Sequence, residues 1–268
     1  MDGVTMLKVT SIQYQMKIGM NNPIRVQCSD SEQYIMKCRN KSTSGKALFN
    51  ELIAARFANI IGVPTPDFSI GSLDQSLINK NENLLDHEFK PGKCFLSKFV
   101  NGTAYGINPI IAKHMNNIDI VPNIIFFDAI LMNSDRADNR GNWFLVRGSN
   151  LIALDHTNIF RIAQIWDKFS LEKDEKIPPL IIPELRDKSY FILANEYKSR
   201  KNNIHHPFSP LVRKLSKLNS TEMNKVFSCI PAEWNITKDD LDAAKEFLSF
   251  QLIHIKDLAQ ELENLFGF

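Results

Sequence analysis

The sequence predicts an α+β chain with a strand-rich N-terminal lobe holding one main helix and a mostly helical C-terminal lobe. Three observations predict it. Apolar and polar residues alternate across residues 7–38, the period of half-buried strands. Beyond residue 106 the apolar spacing changes to the threes and fours of helices. The chain is 268 residues long with 44% hydrophobic and 23% charged residues, enough to bury a sizeable core as one large domain or two lobes.

The elements follow in order. "LKVTSIQYQMK" alternates, Gly19 to Pro23 breaks it, "IRVQC" resumes, "SDSEQ" turns and "YIMKC" completes a strand set bounded by turn residues. Ser44 is a candidate cap for a helix over Ala47 to Ile61, which Gly62 and Pro64 end. "FSIGSL" and "KCFLSKFV" read as two more strands around an acidic loop at 81–90. Residues 1–100 thus form the expected N-lobe and 101–268 the C-lobe, joined near 97–103, together one domain. In the second part "NPIIAKHMNN" and "VPNIIFFDAILMN" read as helices. "WFLV" and "LIAL", joined by "RGSN", read as a hairpin. Past Phe160 the pattern is helical with breaks at "KIPPLIIPEL". A single last helix is expected from a Thr237/Asp240 capping box and apolar residues at 241, 244, 248, 252, 255, 259 and 262.

Several function classes are excluded at this level. A formal net charge of +2 gives no electrostatic case for bulk nucleic-acid binding. The locally basic "YKSRKNNIHH" (197–206) reads as a solvated loop. No apolar run reaches the roughly 18 residues of a membrane span, and the start, with Asp2 and no apolar core, does not read as a signal peptide. Four widely spaced cysteines without a C-x-x-C pair fit neither a metal finger nor a disulfide framework, so a reducing, cytoplasmic setting is expected.

The chemistry concentrates in "LMNSDRADNRGNWFLVRGSNLIALDH" (131–156). Asp135 opens a polar loop after an apolar helix, Asn142 closes it at the start of one strand, and Asp155 ends the next. Pairing the two strands brings Asn142 and Asp155 to one end of the hairpin, with Asp135 nearby. Such oxygen ligands suit a hard cation such as Mg2+, and phosphoryl transfer from ATP needs a cation, a phosphate-holding Lys and a carboxylate for the acceptor hydroxyl. Asn and Asp also serve turns and caps, so a merely structural loop remains the competing reading. Lys37, inside the apolar strand "YIMKC", either snorkels to solvent or points inward. Glu51, fourteen positions on in the helix, is either an exposed helix former or its partner. The turn at Gly19, Asn21 and Asn22 sits where a phosphate-covering loop belongs, and an ordinary hairpin turn explains it equally well. "STSGK" (42–46) lacks the first glycine of a P-loop and is rejected as one.

Six motifs in order resemble the HipA-like kinases, and most closely their short, single-domain bacterial branch: "GMNNP" (19–23), "MK" (36–37), "NELIAARFANIIGVP" (50–64), "NSDRADNRGN" (133–142), "LDH" (154–156) and "IPAEW" (230–234). The resemblance implies a bilobal protein-kinase-like fold and an ATP- and Mg2+-dependent phosphotransferase acting on a serine or threonine of a protein substrate. It implies that Lys37, paired with Glu51, contacts ATP phosphates under the turn of Gly19, Asn21 and Asn22, and that Ser97, Lys98 and Phe99 in "LSKFV" give backbone contacts to adenine. Asp135 is the implied catalytic carboxylate, and Asn142 and Asp155 the implied Mg2+ ligands. The Asp-to-Asn spacing is seven where protein kinases use about five, which leaves Asn139, at spacing four, competing with Asn142. Asp155 is followed by His156-Thr157 rather than Phe-Gly, so no Phe switch is expected; His156 either touches phosphate or packs. The larger HipA toxins carry an extra N-terminal subdomain, which is not expected here because the first kinase-like strand is read from residue 7. An antitoxin partner therefore stays only an option. A small-molecule or lipid-headgroup kinase and an inactive nucleotide-binding adaptor are the alternatives.

Overall fold

Alternation in the first forty residues does what it predicts: it makes strands that bury one face. In this computed structural model the described residues are 6–15, 23–104, 106–137, 139–176, 178–202 and 204–268. The turn residues Gly19, Asn21 and Asn22 lie outside them. The chain divides into two units. One comprises 1–52, 66–100 and 229–236; the other comprises 53–65, 101–228 and 237–268.

In the first unit, β1 (Leu7–Gln15), β2 (Ile24–Cys28) and β3 (Gln33–Lys37) pair antiparallel in sequence order. Helix α1 (Gly45–Ile61) follows and begins in this unit. The Ser44 hydroxyl accepts from the Ala47 N–H at 3.4 Å, and every residue from Ala47 to Ala55 is buried. Gly62 ends α1 at φ +82, a left-handed position that suits glycine, with the Gly62 and Val63 N–H groups both donating to the Ala58 carbonyl.

β4 (Phe68–Leu73) and β5 (Gly92–Lys98) complete the sheet in the order β1-β2-β3-β5-β4. A short parallel pairing, Leu7 with Gly71 and Lys8 with Ser72, closes it into a barrel. An open strand set is what alternation alone suggests; closure rests on a pairing across more than sixty residues that no local pattern encodes. The barrel interior holds Val9, Ile24, Val26, Met36, Leu96 and the thiols of Cys28, Cys38 and Cys94.

A short helix, α2 (Gln75–Asn79), precedes the segment expected as an acidic loop, 81–90, which instead begins with another, α3 (Glu82–Asp86). Asn81 caps α3 by accepting from the Leu84 N–H at 3.1 Å, and Ile78, Leu84 and Phe89 are buried into the barrel cluster. Three apolar anchors outweigh the segment's acidic surface.

The late motif "IPAEW" belongs to this unit as well. Trp234 is buried and its Nε1 donates to the Lys93 carbonyl at 3.1 Å, while the Glu233 carboxylate accepts from the Lys93 N–H. A Cβ on Gly45 would overlap the Trp234 carbonyl oxygen. Glycine there lets the returning segment lie directly on the first turn of α1.

The second unit takes the rest of α1, then β6 (Gly102–Thr103), α4 (Pro109–His114), α5 (Val121–Leu131), β7 (Trp143–Val146) and β8 (Asn150–Ala153). β7 and β8 form the expected antiparallel hairpin, Trp143 opposite Ala153, and β6 adds a short third strand. α6 (Lys168–Asp174), α7 (Lys188–Arg200), α8 (Ser209–Leu215), α9 (Ser220–Val226), α10 (Lys238–Ile253) and α11 (Ile255–Phe266) follow.

The expected single last helix is two, divided at His254. Thr237 caps α10 as expected, accepting from the Asp240 N–H at 3.1 Å, and the Asp240 carboxylate accepts from the Lys168 N–H at the start of α6.

The basic stretch 197–206 divides: 197–200 close α7, while 201–202 and 204–206 are irregular and largely exposed, as the solvated-loop reading expects. The Lys198 ammonium donates to the Phe266 carbonyl at 2.8 Å at the end of α11. The Arg200 guanidinium donates to the Ala112 and Met115 carbonyls at the end of α4. Cations at helix C-termini satisfy orphan carbonyls and the negative end of the helix dipole. Two of the stretch's positive charges are thus spent inside the unit.

Candidate active site

β3 and α1 position the first pair of candidate residues. Lys37 ends β3 opposite Phe95 of β5. Its Nζ lies 2.7 Å from Glu51 Oε1, and both side chains are buried, at 9% and 4% exposure. Burial at that level excludes both alternatives left open by the sequence, the snorkelling lysine and the exposed helix glutamate. An ion pair so removed from water is a strong, charge-assisted contact that fixes the ammonium in place.

Ser97 lies in β5 between Ile35 and Phe68. The Lys98 N–H donates to the Asp67 carbonyl at 2.7 Å and the Phe99 N–H to the Gln33 carbonyl at 2.8 Å. The Arg25 guanidinium sits 3.7 Å over the Phe99 ring. Both of these N–H groups are therefore already used within the barrel unit.

In the second unit α5 is apolar on every side, and Asp128 is its one charged residue. α5 ends at Met132 in the left-handed conformation, which turns the chain into the loop carrying Asp135. The Asp135 carboxylate Oδ2 accepts from Asn142 Nδ2 at 2.8 Å and from Asn139 Nδ2 at 3.2 Å. The sequence places both asparagines as rivals, and the structure brings both to the same carboxylate.

Their other ends differ. Asn139 Oδ1 accepts from the Gly141 N–H at 3.0 Å, capping a 3-10 turn at Arg140–Asn142. Asn142 Oδ1 carries no hydrogen bond among the described residues. At the hairpin end the Leu154 N–H faces the Asn142 carbonyl at 3.5 Å, which sets Asp155 one residue beyond that contact. Asp155 has φ +52, an uncommon conformation for a residue with a side chain, and its Oδ1 accepts from the Thr157 N–H at 3.4 Å. His156 is buried, with its ring edge-on to Phe127 at 5.3 Å, so it packs.

Sequence reasoning missed the group under this loop. The Arg136 guanidinium and the Asp128 carboxylate have no solvent exposure and form a two-pronged pair, Nε to Oδ2 at 2.6 Å and Nη2 to Oδ1 at 3.0 Å. The Tyr190 hydroxyl donates to Asp128 Oδ2 at 2.9 Å and Asn133 Nδ2 to Oδ1 at 2.8 Å. Burial alone would pull the Arg136 pKa down; Asp128 overrides it and holds the guanidinium charged, above its ordinary value. Burial, then the Asp128 charge, pushes the Tyr190 phenol well up, so it stays a donor. The signal was a lone Asp in an apolar helix eight residues before an Arg. Carboxylates are almost never fully buried unless paired.

A family model for HipA-like kinases matches residues 9–170, more than half of the chain. The chain belongs to the HipA-like kinase family. Membership makes it a phosphotransferase with a protein-kinase-like fold. Among solved structures, this HipA-like kinase is similar to the proinflammatory kinase CtkA of Helicobacter pylori, at 18% identity over 95% of this chain and 97% of that one, TM-score 0.48. It is also similar to the Golgi casein kinase with Mn and ADP bound, at 13% identity over 94% and 73%, TM-score 0.48. A MAP kinase of Leishmania major matches at 10% identity over 96% and 83%, TM-score 0.34. No curated protein matches. Among the described residues, no helix is long and apolar enough to cross a membrane.

Proposed function

We propose that this HipA-like kinase transfers the terminal phosphoryl group of ATP to a serine or threonine hydroxyl of a protein. Residues 1–100 carry the nucleotide contacts, and 101–268 the catalytic and cation-binding groups. One observation carries the reading: Asp135 and Asn142 are in direct contact, and the Asn142 oxygen stays unengaged beside the hairpin end that bears Asp155. An amide oxygen and a carboxylate are hard oxygen donors, the set that suits Mg2+.

Asn142 and Asp155 would hold the cation. Asn139 is tied at both ends of its amide and serves the loop turn instead. When bound, the ion neutralises charge developing on the phosphoryl oxygens. Asp135 accepts or orients the proton of the acceptor hydroxyl, with Asn142 Nδ2 fixing which oxygen faces the acceptor. The Lys37 ammonium, held by Glu51, binds phosphate oxygens and stabilises the transferred charge. Gly19, Asn21 and Asn22 are assigned to the phosphates by their place in the sequence, between the first two strands. Adenine is met by the backbone of Ser97, Lys98 and Phe99, through carbonyls where the N–H groups are engaged.

The test is labelled ATP with Mg2+ and a cell protein pool, wild type against Asp135→Ala. Label on protein serine or threonine that the variant abolishes is the expected result. Label passing only to small molecules or lipids would replace the acceptor class. ATP binding without transfer by either protein would support an adaptor.

A further inference from the structure

We propose that Arg136, anchored by Asp128, is the positioning residue that sets the distance between the two cation ligands. The inference rests on the assignment of Asn142 and Asp155 given above. Arg136 Nη1 donates to two carbonyls, Asn142 at 3.0 Å and Leu154 at 3.2 Å. Both carbonyls lie at the open end of the hairpin, one on each strand, just beyond the Trp143–Ala153 pair. One belongs to a cation ligand and the other to the residue just before the second ligand. A single nitrogen therefore ties together the backbone at both donors.

The tie is rigid because the other prongs of the guanidinium are committed. Nε and Nη2 grip Asp128 in the planar fork that arginine and carboxylate share. Asp128 is itself held by Tyr190 and Asn133. The Trp143 ring lies 5.7 Å from the guanidinium carbon, and Tyr190 packs edge-on to that ring at 5.2 Å. With the plane fixed on three sides, the direction of Nη1 is fixed too.

Asp155 shows why such a tie is needed. Its φ of +52 is a conformation that persists only where the surroundings over-determine it. Arg136 holds the residue before it, and the Thr157 N–H holds its side chain. A lysine at 136 would carry the charge without the fork, so it would satisfy Asp128 and lose the two-carbonyl geometry.

Groups that orient metal ligands from behind typically contribute about 10–100-fold in metal affinity. Arg136→Lys in the full chain is therefore expected to weaken Mn2+ binding to the ADP-loaded protein by about that factor. Electron paramagnetic resonance titration reads this without turnover. ADP affinity without metal should not change, and kcat should fall while KM for ATP holds. Tyr190→Phe, which removes one bond to Asp128 without removing charge, is expected to move Mn2+ affinity in the same direction by less. Circular dichroism checks that each variant folds.

If Arg136→Lys and Tyr190→Phe both bind Mn2+ as wild type does while Asp155→Ala loses it, the ligands are right and the positioning role is wrong. If Asp155→Ala also binds Mn2+ as wild type does, the ligand assignment itself falls, and the proposal with it.

Discussion

Replacing Asp128 with alanine removes the acceptor of four hydrogen bonds: two from Arg136, one from Tyr190 and one from Asn133. Neither charged partner has any solvent exposure, so the remaining guanidinium cannot turn to water. Breaking a buried pair by deleting one partner costs about 3–5 kcal/mol, most of it the uncompensated charge left behind. Each kcal/mol moves the midpoint of a large domain by about 2–4 °C, so Asp128→Ala should melt about 6–20 °C below wild type. The companion variant changes the whole group together: Asp128→Leu, Arg136→Met and Tyr190→Phe. With no charge left to desolvate, apolar replacement of a buried pair is often neutral or stabilising by about 1–4 kcal/mol. Against that stands the Asn133 amide left without its acceptor, about 1–3 kcal/mol. The triple variant is therefore expected near the wild-type midpoint, though without activity. Thermal melts followed by circular dichroism measure all three proteins. An Asp128→Ala midpoint equal to wild type, or a triple variant as unstable as the single one, would refute the claim that an unpaired buried charge sets the penalty.

Three other outcomes follow from the geometry. Gly45→Ala puts a methyl group into the Trp234 backbone and should cost about 1–3 kcal/mol by overpacking, read as a lower urea midpoint. Lys37→Met should lower kcat/KM for ATP by about 100-fold or more, while Lys98→Met, whose ammonium is exposed beside Glu32, should leave it near wild type; steady-state kinetics compares them. Burial raises the Cys28 and Cys38 thiols from 9.0 to about 12, so the folded state binds their protons more tightly than the unfolded state does. Stability from these two groups is intact below pH 9 and falls between pH 9 and 12, by about 1.4 kcal/mol per pH unit for each thiol. Iodoacetamide at pH 8 should accordingly label Cys229, which is exposed, and spare the three buried thiols until denaturant is added. Mass spectrometry of the native protein reads that directly.

The features legible in the sequence are those set by near neighbours. The β7–β8 hairpin could be read because two short apolar runs and four turn residues specify it locally, and its register then brings Asn142 to the level of Leu154. Lys37 and Glu51 could be suspected from order and spacing, but their burial could not, since it depends on packing from many segments. Barrel closure, the split of the last helix at His254 and the two short helices at 75–86 were hidden. In the basic run 197–206 the solvated reading holds beyond Arg200, while the bonds of Lys198 and Arg200 were hidden because charge density says nothing about which helix ends lie within reach. Asp128 and Arg136 were hidden for a different reason. Each looks ordinary alone, and only the pair, eight positions apart across a helix end, explains why a charge sits in "FFDAIL" at all.

The barrel's closure is narrow. Each of the five strands has a neighbour on both sides, but β1 meets β4 over two residue pairs, so Val9 to Gln15 pair with β2 on one side and with no strand on the other among the described residues. The weak stitch is the β1–β4 seam, two residue pairs long. A mutation that unpicks it would free two edges at once. The expected symptom is self-association through strand exchange, seen as a concentration-dependent rise in mass before any loss of the barrel's fold.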